Sequence, residues 1–339
     1  MKRFTNICTS IAGSVGTGNI FGVAICIAAG GPGAVLWLWV SAIIGMAVKS
    51  NEVRLGTRYG GAMGYMGERA ARLFAALIML SSMTVGGGVQ VGAMTEALRP
   101  MGAGFLVPLA VPALAFAMSR RRGRALALIT PVMAVLYLAG AWYVIFIHRE
   151  NILPALAEIF RAALTPRAAI AGLTKGMLSH EAGLGTAALA HSDGEGKPID
   201  GAIEVAADTL VVSTATALML LTTGESTPLA ALATAIPMAR ELLAASILLF
   251  AFSSVLSWQS YGEKCAEYLK IDRKAYISAF SVLLAPLSLL PVDLAAALSD
   301  PVNIALASVN ILAMIKKCRS KLPASECTQK ALDKGGGDL

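Results

Sequence analysis

The residues best suited to chemistry are Ile11-Ala-Gly-Ser-Val-Gly-Thr-Gly-Asn19, which stand inside an apolar run and include three glycines and an asparagine. Such a stretch is poor material for a continuous helix. If the helix unwinds there, its second half starts near Asn19, where free N–H groups and the positive end of the helix dipole suit an anion such as a carboxylate. The first half ends at the same gap with unpaired carbonyls, at Ala12 and Val15 for example, and these suit a cation. The alternative is that the small residues only permit close helix packing. An internal echo favours the break: Ser179-His-Glu-Ala-Gly-Leu-Gly-Thr186 repeats the G-x-G followed by a polar residue. Glycine-interrupted helices in corresponding halves point to a site at the membrane midplane, so Asn19 and Gly183 become candidate substrate contacts.

The elements that must position these residues are membrane helices. The 339-residue chain is 56% hydrophobic and 14% charged, whereas soluble domains carry roughly a quarter charged residues. Apolar runs between breakers predict ten spans at about 4–28, 33–56, 70–98, 103–118, 125–147, 168–191, 199–223, 240–269, 275–296 and 300–316. The echo lies five spans after the first break, and an odd-length repeat runs inverted through the membrane. A mixed-polarity segment near 151–165 reads as an interfacial helix, and Pro228 to Pro237 as a re-entrant or capping loop. Residues 1–147 would form the first five-helix repeat, 148–167 a connector, 168–316 the inverted repeat, and 317–339 a cytoplasmic tail without a fixed fold.

Charge sets the expected orientation. With a cytoplasmic N-terminus, Lys2-Arg3, the loop from Arg54 to Arg72, Arg120 to Arg124, Glu263 to Lys274 and the tail from Lys316 all fall inside, while the other face carries little beyond Arg99, Arg149 and Arg240. Both termini are then cytoplasmic, in a cell or inner membrane. The net charge of +7 is explained by these loops, so nucleic acid is not an expected partner. The cysteines Cys8, Cys26, Cys265, Cys318 and Cys327 show no CxxC pairing, and His148, His180 and His191 lack zinc-helix spacing. No nucleophile and base share a recognisable motif, which argues against an enzyme.

The sequence resembles the sodium:alanine/glycine amino-acid symporters in four blocks: Val15 to Ala24 with Gly30-Gly-Pro-Gly-Ala34; Ser179-His-Glu-Ala-Gly183; Asp208-Thr209 with Thr214-Ala-Thr216; and Phe250 to Ser254 through Trp258 to Tyr261-Gly-Glu-Lys264. The resemblance covers nearly the whole chain. It implies an all-α polytopic membrane protein with a LeuT-like 5+5 inverted-repeat bundle, broken first and sixth helices, and symport of alanine, glycine or a similar amino acid with Na⁺. It also implies that the Thr17 and Gly18 amides hold the substrate carboxylate and that Gln90 faces the pocket. The Ala12 and Val15 carbonyls would bind sodium with the hydroxyls of Ser253 and Ser254. Ser254 stands where the family more often has Thr, which keeps the oxygen a hard cation needs.

Departures from the family pattern are also visible. Members usually have another hydrophobic helix before the glycine break, where here only Met1 to Ser10 precede it, so a truncated start or a compact variant is expected. His180 replaces the usual Asn, Gly87-Gly88 and Gly92 occupy a more polar stretch of the third span, and Ala62 replaces a Pro. Alternatives therefore stay open: another substrate, proton coupling through His180 beside Glu181, or a relative that binds without transporting. Gln90, Ser253 and Ser254 could instead make only helix-to-helix or backbone hydrogen bonds. Glu181 and Asp208 should face the bundle interior, Asp208 either functionally or as an interhelical tie. Glu52 is expected to snorkel or to join a gate salt bridge at a cytoplasmic helix end. Trp258, a turn past the serines, could shape the pocket or pack the core.

Overall fold

The computed structural model describes residues 2–289 and 292–319, with 292–300 as backbone only. The chain forms helices α1 Lys2–Ser14, α2 Gly18–Gly30, α3 Ala34–Tyr59, α4 Glu68–Met101, α5 Gly104–Met118, α6 Arg122–Ile147 and α7 Ile152–Ala162. Then follow α8 Pro166–Ser179, α9 Thr186–Ala190, α10 Pro198–Thr223, α11 Pro228–Ala233, α12 Ala239–Tyr268, α13 Arg273–Leu287 and α14 Val292–Arg319. Among the described residues six helices are long and apolar enough to cross a membrane, or seven when α1 and α2 count as one bent span. At 1.5 Å per residue, the 26 residues of α3 or α6 exceed a hydrocarbon core of about 30 Å.

The predicted spans at 103–118 and 275–296 correspond to the shorter helices α5 and α13, and 168–191 is not one helix but α8 and α9 on either side of a loop. The segment expected to lie at the interface forms helix α7, and the expected capping loop contains the short helix α11. Lys317 to Arg319, expected in the tail, complete α14. Residues 320–339 lie outside the described residues.

Local signals set these boundaries. Pro166, Pro198 and Pro228 open their helices, where a missing N–H costs nothing. The Thr165 hydroxyl accepts from the Ala168 amide at the start of α8, and Asp272 caps α13 through the Ala275 amide at 2.9 Å. Gly60, with φ +72°, ends α3 in the left-handed conformation.

Helix packing rests on small residues. A Cβ on Gly201 of α10 would lie 2.5 Å from the Lys49 carbonyl carbon, and one on Gly56 of α3 would lie 2.5 Å from Ala188 of α9. Backbones approach closely at both crossings, which gains dispersion contacts where lipid offers no hydrophobic drive. A core centred on Tyr137, Phe250, Leu256 and Phe280 joins α6, α12 and α13, with the Tyr137 and Phe250 rings edge to face at 5.7 Å.

The end of the bundle that carries the N-terminus is closed by charge. Arg3 reaches Asp200 at 2.5 Å, and Glu263 accepts from both Arg122 and Arg273. Beneath them, buried Glu204 joins Ser10 at 2.5 Å, His191 at 2.7 Å and Lys49 at 3.8 Å. These contacts tie α1, α3, α9 and α10 together at that end.

Candidate functional site

The first break lies where the glycines predict it. α1 and α2 meet at 54° across Val15 to Thr17, and α2 opens in wide π-helical turns over Gly18–Gly22. Asn19 holds the bend: its Oδ1 accepts the Gly16 amide at 3.0 Å, and its Nδ2 donates to Ser213 at 2.9 Å and to the Asp208 carboxylate. Its backbone carbonyl accepts from Thr216 at 2.9 Å. Asp208 is fully buried on α10 and also accepts from Ser179 and Thr209. It is an interhelical tie that fixes the break.

The second break, between α8 and α9, is held in the complementary way. Glu181, Gly183 and Gly185 have φ of +56°, +101° and +81°, and the turn directs the Gly183 and Gly185 amides onto Glu52 Oε1 at 2.8 and 3.0 Å. Asn310 of α14 donates to the same oxygen and to the Gly183 carbonyl, at 2.8 and 2.7 Å, and accepts from the Tyr65 hydroxyl. Glu52 is fully buried and does not snorkel as its neighbours Lys49 and Arg54 suggest. Each break is thus pinned by a carboxylate from the helix following the other break: Asp208 of α10 for the first, Glu52 of α3 for the second. His180 accepts the Ala182 amide on Nδ1, which leaves Nε2 as the donor to Ser41 at 3.1 Å. It bolts the second break in place.

A cavity of about 900 Å³ opens from the first break toward the end of the bundle opposite the N-terminus. Thr17, Gly18, Gln90 and Trp258 line it. The Thr17 hydroxyl lies 3.3 Å from Gln90 Oε1. The Trp258 indole N–H meets the Gly13 carbonyl at 3.3 Å, and Gly86 leaves no room for a side chain against its ring, so Trp258 forms a wedged wall. Two expected contacts are not on the wall. Asn19 is fully buried with its amide taken up by the protein, and Gly183 faces Glu52 and Asn310. Both breaks use these residues to hold backbone shape.

Behind the cavity, Ser254 Oγ lies 2.9 Å from the Ala12 carbonyl and 3.1 Å from that of Phe250, which also meets Ser253 Oγ at 2.9 Å. Val15 follows Ala12, buried. The structure therefore brings together the oxygens of Ala12 and Ser254, with Phe250 as a further carbonyl that sequence reasoning missed, while Ser253 Oγ also donates to Met133 Sδ at 3.1 Å. These hard neutral oxygens match the ligand type of an alkali cation and offer no thiolate or imidazole for a transition metal. Gly16 separates them from Gln90: a Cβ there would sit 3.2 Å from Ser254 Oγ and 3.6 Å from Gln90 Oε1.

Sequence reasoning also missed Lys175. It lies on α8 along the cavity wall, where a Cβ on Gly18 would be 3.4 Å from its Nζ. The signal was present as a charged residue within an apolar span. A cationic side chain thus stands beside the Thr17 and Gly18 amides expected to hold a carboxylate.

An unwound helix at mid-bundle, an adjoining cavity and a set of buried oxygens define a secondary transporter rather than an enzyme. The fold matches that of MhsT, crystallised with L-phenylalanine, with a TM-score of 0.67 over 93% of this chain and 88% of that one at 18% identity. A family model described as the sodium:alanine symporter family matches residues 1–322, and the chain belongs to that family. An uncharacterized transporter of Haemophilus influenzae is 31% identical over 93% of this chain and 81% of its own. The sodium/alanine symporter AgcS of Methanococcus maripaludis is 31% identical over 79% and 71%, and the probable sodium/glutamine symporter GlnT of Bacillus subtilis 31% over 81% and 66%. The protein is therefore a multi-pass membrane transporter of the sodium-coupled amino-acid class.

Proposed function

We propose that this protein moves a small neutral amino acid, alanine or glycine, together with Na⁺ across the cytoplasmic membrane by alternating access, with both termini cytoplasmic. The observation that carries the reading is the start of α2 at Gly18, whose N–H groups stand at the head of a helix dipole on the cavity wall. The substrate carboxylate rests on the Thr17 and Gly18 amides, with Gln90 beside them. Sodium binds behind, among the carbonyls of Ala12, Val15 and Phe250 and the hydroxyls of Ser253 and Ser254. In this orientation the cavity faces outward, and the contacts of Arg3, Glu204 and Glu263 close the inner end. Return to the inward state requires those contacts to open together.

Reconstituted protein is expected to accumulate labelled alanine under an inward Na⁺ gradient, with glutamine as a competing substrate to be compared. Equal uptake in K⁺ and Na⁺ at fixed pH would remove sodium from the reading. Ser254→Ala should raise the Na⁺ concentration for half-maximal uptake about tenfold, since a tenfold change corresponds to about 1.4 kcal/mol, an ordinary value for one lost oxygen ligand. Ser254→Thr should leave it near wild type. A Ser254→Ala protein with unchanged sodium dependence would place the cation elsewhere.

A further inference from the structure

Two charged side chains on the cavity wall have no role in holding either break. Lys175 comes from α8 and is half-buried, and among the described residues it makes no hydrogen bond and no close ion pair, Asp208 being the main opposite charge acting on it. Its ammonium group stands next to Gly18 and Gly22: a Cβ on Gly22 would lie 2.9 Å from Nζ. Glu181 follows α8 in the unwound segment and lies beside Trp258 and Thr186. It is 6% exposed, and its Oε2 is buried without a hydrogen-bond partner. Glu181 also holds φ +56°, a conformation unfavourable for a residue with a Cβ and one that marks functional segments when the surroundings enforce it.

These charges flank the first break at different levels. Lys175 faces the α2 side, at Gly18 and Gly22. Glu181 lies with Trp258, whose indole reaches Gly13 on the α1 side. A buried carboxylate oxygen without a hydrogen bond and a cation without a close counter-ion each leave a desolvation cost that a bound group of opposite charge would remove. A ligand with one full charge of each sign satisfies both at once.

We propose that Lys175 and Glu181 form an opposed charge pair that selects zwitterions, the Lys175 ammonium joining the Gly18 amide on the substrate carboxylate and Glu181 receiving the substrate α-ammonium. The proposal rests on the amino-acid reading above and gives it a recognition rule. A ligand with only one of the two charges leaves the other wall group unpaired and is rejected, because sites built around buried polar partners discriminate strongly against analogues that lack one. Lys175→Met removes the demand for a carboxylate, and Glu181→Gln removes the demand for a full positive charge.

The test uses the full chain in proteoliposomes, with labelled alanine uptake competed by unlabelled alanine, alanine methyl ester and propionate, and the same panel read in detergent as thermal stabilisation. In the wild type only alanine is expected to compete and to stabilise. Lys175→Met should weaken alanine at least tenfold while the methyl ester loses little or gains, and Lys175→Arg should recover part of the alanine affinity. Glu181→Gln should weaken alanine at least tenfold while propionate loses little or gains. If both variants weaken every ligand by the same factor, or leave alanine unchanged, the charge pair is overturned and the residues serve only the fold. Wild-type binding of the ester or propionate as tightly as alanine would also overturn it. A wild type that neither transports alanine nor is stabilised by it overturns the alanine reading on which the proposal rests.

Discussion

Glu52→Ala is expected to destabilise the protein by roughly 3–5 kcal/mol, because three buried donors lose their acceptor and each unpaired buried donor costs about 1–3 kcal/mol. Its Oε1 receives three donors, the Gly183 and Gly185 amides and the Asn310 side chain, and none has water to turn to at that depth. The loss would free the second break, because the left-handed residues Glu181, Gly183 and Gly185 are held in place by those bonds. Thermal unfolding in detergent should show the melting temperature of Glu52→Ala lowered by about five degrees. Glu52→Gln, which keeps an acceptor at the same place, should retain most of the stability. If Glu52→Ala melts with the wild type, the carboxylate does not hold the break.

The second large effect falls on the first break. Asn19→Ala should lower alanine uptake about a hundredfold, equivalent to about 2.7 kcal/mol of barrier, with less change in the melting temperature than Glu52→Ala. The substitution leaves the Gly16 amide without its acceptor and Asp208 without its nearest donor, so the bend that sets Thr17 and Gly18 on the cavity wall loses its brace. Asn19→Asp should be worse than Asn19→Ala, because it places a second carboxylate against buried Asp208. Equal uptake by Asn19→Ala and wild type would show that the bend holds itself. An Asn19→Asp protein more active than Asn19→Ala would mean that Asp208 is neutral where it lies.

The two hubs show why residue type was a better guide than residue role. Asn19 and Gly183 were read as substrate contacts because they sit at the breaks, and they do sit there. Their polar groups are spent inside the protein, since a break within a membrane must satisfy its own backbone before it can offer anything to a ligand. Glu52 was read from its neighbours in sequence, Lys49 and Arg54. Yet α3 turns Glu52 toward α9 and α14, and its partners are 131 to 258 residues away. No window of sequence contains that pairing.

Some pairings were legible. The contact of Ser254 with the Ala12 carbonyl, 242 residues apart, and the approach of Thr17 to Gln90 followed from the order of motifs matched to a family. Lys175 was legible as an oddity, a charge within an apolar span, but not as a neighbour of Gly18. Its reach depends on α8 packing against α2 through small residues such as Gly22 and Gly30.

The sequence by itself determined that the chain lies in a membrane and that its helices break between Val15 and Asn19 and again at Gly183 to Gly185. These are local properties: glycine in hydrocarbon and apolar length carry their meaning within a turn or two of helix. Only the tertiary structure decided which polar groups meet the cavity and which hold the frame. That choice depends on the rotation and crossing of α3, α8, α10 and α12 about the breaks, where a change of about 100° in the facing of one residue separates a ligand contact from a buried tie.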